Sequence, residues 1–145
     1  GMFTRRGFNI DCLTVGETES AEFSRITVVF HGDEDIKDKI IKQLEKLHDV
    51  KEVEVLDPHE TVIRELLLIK VRNTPSTRQD IMTAVEIFRS KIVDYSPTAL
   101  VRELTGETSK INAFIDLMKP YGIMEMCRTG IVAIERGDNC LTTER

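Results

Sequence analysis

Val62-Ile63-Arg64-Glu65-Leu66-Leu67-Leu68-Ile69-Lys70-Val71 is a nearly continuous apolar run around which the other elements can be ordered. It is rich in Leu and β-branched residues, which suits a strand in the middle of a sheet better than a surface element. The segment Asn73-Thr74-Pro75-Ser76-Thr77 breaks it. Ser76 or Thr77 can then cap a helix whose apolar positions Ile81, Val85 and Phe88 recur at four- and three-residue spacing. Two strands follow, Lys91 to Asp94 and Ala99 to Leu104, joined through Ser96-Pro97-Thr98 as a hairpin. After Gly106, Thr108 or Ser109 can cap a second helix with Ile111, Phe114, Ile115 and Met118 on one face, stopped by Pro120 and Gly122. A last strand, split around Thr129-Gly130, covers Ile123 to Cys127 and Ile131 to Glu135. The order is strand, helix, strand, strand, helix, strand, an α+β pattern.

Working backwards, the first half repeats the later part of that order. Phe8 to Val15 and Phe23 to Phe30 read as strands joined by the polar loop Gly16-Glu17-Thr18-Glu19-Ser20. Gly32 ends them as Gly106 ends the later hairpin. Asp33-Glu34-Asp35 puts negative charge where a helix macrodipole favours it, so the run reads as a cap and not as an acid/base pair. Ile36, Ile40, Leu44 and Leu47 then line one helical face. Val50 to Leu56 is expected to close this copy as a strand, with Asp57-Pro58 marking the boundary. Compared with the second copy, the first lacks a leading strand and most of a helix, roughly 25 residues judged from the intact repeat. In such a four-stranded sheet the first strand lies between the third and fourth, so Val50 to Leu56 depends on it for a neighbour. The expected organisation is a domain over 1–57, a second over 58–138 and a flexible polar tail over 139–145.

Composition narrows the function. The 145 residues are 41% hydrophobic and 31% charged, with a net charge of −5, an ordinary globular balance. There is no basic block of the kind that grips a phosphate backbone, so nucleic acid is not an expected partner. Apolar runs fall short of the ~20 residues a membrane span needs, and the expected location is the cytoplasm. Cys12, Cys127 and Cys140 are widely spaced with no CxxC pair, and read as buried or idle thiols. His31, His48 and His59 each sit beside a turn signal and read as exposed loop positions. No Gly-rich phosphate cradle, nucleophile with adjacent base, or metal cluster is legible, so no catalytic residue and no metal ligand is assigned.

The segment Arg5-Arg6-Gly7-Phe8-Asn9-Ile10-Asp11-Cys12-Leu13-Thr14-Val15-Gly16 resembles the RRGxNIxxLTVG stretch of the acetohydroxyacid (acetolactate) synthase small, regulatory subunit. The resemblance continues through Phe23 to Thr27, Gln43-Leu44-Lys46-Leu47, Arg64-Glu65-Leu66 and Ile69-Lys70-Val71. It extends over Glu86-Ile87-Phe88-Arg89, Leu104-Thr105-Gly106 and Arg128-Thr129-Gly130-Ile131-Val132. It implies two tandem ferredoxin-like domains, the first an ACT domain whose opening strand and NxxGxL loop precede this stretch in the family. That loop's backbone amides help hold the carboxylate of a branched-chain amino acid, as a helix N-terminus can. By position, Asn9 matches the asparagine that bonds the effector, an amide being both donor and acceptor. Ile10, Leu13 and Thr14 would line the same pocket.

The resemblance further implies a non-catalytic subunit that binds the catalytic subunit, activates it and confers feedback inhibition by valine, leucine or isoleucine. ACT domains would pair into a homodimer. No cofactor is implied in this chain; thiamine diphosphate, magnesium and FAD would belong to the catalytic partner. Two other readings stand beside it. One is an ACT-type amino-acid-binding module of another metabolic enzyme. The other is an RNA-recognition module, which shares the element order but needs exposed sheet aromatics and a basic surface; only Phe23 and Phe30 flank the relevant strand.

Overall fold

The computed structural model describes residues 10–141. The chain divides into two compact units, Gly1–Val62 with Ala133–Arg145, and Ile63–Val132.

In the first unit, β1 (Ile10–Glu17) and β2 (Ser24–Phe30) form an antiparallel hairpin. Leu13 faces Val28, Thr14 faces Thr27 and Val15 faces Ile26, with an irregularity between Ile10 and Cys12. Helix α1 (Glu34–Glu45) starts as its sequence dictates: the Asp33 side chain accepts from the Ile36 N–H at 3.0 Å, and Glu34 and Asp35 occupy the first turn. Ile40 is buried, Ile36 and Leu44 are half-buried, and Leu47, beyond the helix end, is exposed. Val50 to Leu56 is not a strand. A strand is held by the ladder to its neighbour, and among the described residues β1 and β2 pair only with each other. Val55, which alternates with Glu52 and Glu54 in this segment, is exposed.

The second unit follows the expected order closely. β3 (Thr61–Arg72) lies between β5 (Ala99–Gly106) and β6 (Ile123–Arg128), and β4 (Lys91–Tyr95) flanks β5, giving the order β4-β5-β3-β6. The last strand is split in two: β7 (Val132–Glu135), of which Ala133–Glu135 fall in the first unit, also pairs with β3. This is the ferredoxin-like arrangement, with the first strand of the motif between the third and the fourth. Leu67, Ile69 and Val71 point into the core, while Leu68 between them is 41% exposed. β3 is therefore central in the sheet but covered on one face only, as antiparallel sheets permit.

Helices α2 (Arg78–Phe88) and α3 (Thr108–Met118) contribute Ile81, Ala84 and Val85, and Ile111, Phe114, Ile115 and Met118, to one core with Leu67, Ile69, Val71, Leu100 and Leu104. Each of these side chains other than Ala84 contributes about 1.5–3 kcal/mol on leaving water. Phe88 meets Phe114 edge-on at 5.3 Å between ring centroids. Thr77 is the N-cap position of α2, but its hydroxyl pairs with that of Thr74 at 2.7 Å instead of capping. The cap position of α3 is Glu107, not Thr108 or Ser109; the Thr108 hydroxyl instead donates to Glu65 Oε2 at 3.4 Å. In the β4–β5 turn, Ser96 Oγ accepts from the Ala99 N–H at 3.0 Å.

Candidate functional site

Of the effector positions inferred from the sequence, Ile10, Leu13 and Thr14 lie on β1. Asn9 lies outside the described residues. Ile10 and Thr14 are half-buried, whereas Leu13 is 52% exposed. Adjacent residues of a strand point to opposite faces, so the hairpin separates Leu13 from Thr14. Thr14 shares its face with Cys12, whose Sγ lies 3.6 Å from Thr14 Oγ1, and with their cross-strand partners Thr27 and Val29. Leu13 belongs instead to a strip with Val15, Ile26 and Val28. Val15 and Ile26 are 61% and 52% exposed, so this strip is an apolar surface on the segment expected to handle the ligand. Sequence reading did not single out Val15, Ile26 and Val28; the signal was the pairing of two alternating apolar strands across the six-residue loop 18–23.

The electrostatics of the hairpin are light. Asp11 pairs with His31, both at the surface. His48 and His59 are also exposed, as their turn positions suggest. Cys127 and Cys140 are exposed free thiols and Cys12 is half-buried, so burial does not account for the first two. Among the described residues, no cluster of His, Cys, Asp and Glu could hold a metal ion, and no helix is long and apolar enough to cross a membrane.

In the second unit, residues far apart in the sequence meet around Glu65. Arg128 donates through Nε to Glu65 Oε1 and through Nη2 to Oε2 at 3.1 Å, and its Nη1 reaches Asn112 Oδ1 at 2.9 Å. Next to it, the Leu66 N–H donates to Thr129 Oγ1 and the Thr129 N–H to the Leu66 carbonyl, both at 3.0 Å. The two motifs Arg64-Glu65-Leu66 and Arg128-Thr129-Gly130 are thus one joint between β3 and the end of β6, closed by the first turns of α3. Arg64, Thr105, Gly106, Glu107, Ser109 and Lys110 line an open depression at the head of α3.

Comparison with known proteins agrees with this architecture. Residues 1–52 match the model of the AHAS small subunit-like ACT domain, and residues 64–137 match that of the small subunit of acetolactate synthase. The probable acetolactate synthase small subunit of Methanothermobacter thermautotrophicus is 46% identical over 142 residues, covering 97% of this chain and 84% of the relative. That of Bacillus subtilis is 48% identical over 139 residues, covering 94% and 80%. The crystal structure of the small subunit from Thermotoga maritima superposes with a TM-score of 0.86 at 44% identity, over 95% of this chain and 86% of that one. With both halves matched in order and relatives of this identity along nearly its whole length, the chain belongs to the acetolactate synthase small-subunit family.

Proposed function

We propose that this chain is the regulatory subunit of an acetolactate synthase: it binds a separate catalytic subunit, raises its turnover and transmits branched-chain amino-acid binding as inhibition. The observation that carries this reading is the family membership across both units, with 46% and 48% identity to acetolactate synthase small subunits. The condensation of 2-oxoacids would belong to the partner, with its thiamine diphosphate, magnesium and FAD, and this chain would hold no cofactor. On this reading the complex works in the cytoplasm.

Feedback requires an effector that prefers one of two states, because equal affinity for both shifts nothing. Asn9 would bond the amino acid, with Ile10, Leu13 and Thr14 beside it. Since Leu13 and Thr14 lie on opposite faces of β1, they would serve differently: Thr14 within its own domain, Leu13 across a pairing of two ACT domains. The exposed strip of Leu13, Val15 and Ile26 supports such a homodimer.

The test is Asn9→Ala in the complex with the catalytic subunit. Activation should persist while valine, leucine or isoleucine inhibits at least tenfold more weakly, a loss of about one to two hydrogen bonds. Undiminished inhibition would remove Asn9 from the site.

A further inference from the structure

Arg102 lies on β5 between the core residues Leu100 and Leu104, opposite Ile69 of β3 and Ile92 of β4. Its side chain is 0% exposed. Nε, Nη1 and Nη2 are all buried without a hydrogen-bond partner among the described residues. A guanidinium carries five N–H donors and no acceptor, so each of these atoms requires an acceptor. Burial lowers its pKa to about 10, which still leaves it charged at neutral pH.

A second buried orphan precedes the strand that pairs with Arg102's own. Ser90, directly before β4, is buried, and its Oγ also lacks a partner. Ser90 lies in the turn that ends α2, where its N–H donates to the Val85 carbonyl at 3.0 Å, two residues before Ile92, the cross-strand partner of Arg102. The hydroxyl is a donor as well, so both unsatisfied groups call for an acceptor. Water could accept these hydrogen bonds but would leave the positive charge uncompensated, which is costly away from solvent. One acceptor-only species answers both needs.

We propose that Arg102 and Ser90 form a buried site for a small monovalent anion, a halide or a one-carbon carboxylate, inside the second unit. A fully buried guanidinium favours the smallest anions, because a phosphate or an amino acid would displace more of the packed core. The site is separate from the effector positions on β1, and it does not depend on the regulatory reading.

A ligand that binds only the folded state raises the unfolding midpoint with its concentration. The experiment is thermal unfolding of the whole chain in sodium chloride, bromide or formate, with ionic strength held constant by sodium gluconate, whose anion is too large to enter. The midpoint should rise by roughly 3–6 °C per tenfold increase in the small anion above its Kd. Arg102→Met should abolish the dependence and Ser90→Ala should weaken it. Comparing halide with formate then identifies the source of the anion. In crystals soaked in bromide, the anomalous signal should lie within hydrogen-bond distance of the Arg102 guanidinium. Equal midpoints in every salt would overturn the proposal, as would an anion dependence that survives in Arg102→Met. Should Arg102→Met fail to fold, Ser90→Ala and the bromide position decide in the same way.

Discussion

Glu65 and Arg128 stand 63 positions apart in the chain, yet the Glu65 carboxylate accepts from both Nε and Nη2 of Arg128. The carboxylate side chain is 4% exposed and the arginine side chain 31%. Their pairing locks the start of the central strand to the end of β6, while Thr108 and Asn112 draw the first turns of α3 into the same joint.

Removing one partner should therefore cost more than a surface ion pair would. Arg128→Ala leaves a buried carboxylate short of two donors, and the expected loss is roughly 2–3 kcal/mol, below the range for a fully buried pair because Arg128 keeps part of its surface in water. Glu65→Gln, which keeps an acceptor, should cost less. Urea unfolding should show a lowered midpoint with an unchanged slope. An unmoved midpoint in Arg128→Ala would mean that the joint contributes nothing.

Arg89 ends α2 with φ 57°, and among the described residues it is the one non-glycine in the left-handed region. Glycine adopts this conformation without the Cβ penalty, although it gives up more chain entropy on folding. Arg89→Gly should raise stability by about 0.5–1 kcal/mol in the same unfolding measurement. Destabilisation would show that the arginine side chain makes a contact worth more than the strain.

The apolar strip on the hairpin gives a prediction about assembly. Ile26 is 52% exposed, so Ile26→Glu should leave the fold of its unit intact, as followed by circular dichroism. If two ACT domains meet through this strip, a charge there should weaken self-association by at least tenfold in sedimentation equilibrium. An unchanged oligomer would place the pairing elsewhere.

Much of the fold was legible in the sequence. Ile111, Phe114, Ile115 and Met118 announce their helix by spacing alone, and all four are buried. The apolar run at Val62 to Val71 places the central strand by its continuity and its Leu and β-branched content. Val50 to Leu56 misled because apolar alternation expresses only the capacity to pair, and a ladder needs a second strand. Arg102 was passed over: it has the phase of Leu100 and Leu104, but a charged residue ordinarily reads as solvent-facing. The site was less legible than the fold. RRGFNI identifies the segment through resemblance, yet the division of Leu13 and Thr14 between two faces follows from the hairpin register with Val28 and Thr27. The joint at Glu65 escaped reading altogether, since nothing local links two motifs so far apart.

A regulatory subunit acts by biasing a separate enzyme. The direct measurement is the turnover of the acetolactate synthase catalytic subunit from the same cell, titrated with this chain, with and without valine. Under the proposed function kcat should rise saturably, at least several-fold, at a stoichiometry set by complex formation, and valine should reverse the rise. A catalytic subunit that neither binds the chain nor changes its turnover at saturating concentration would contradict that function.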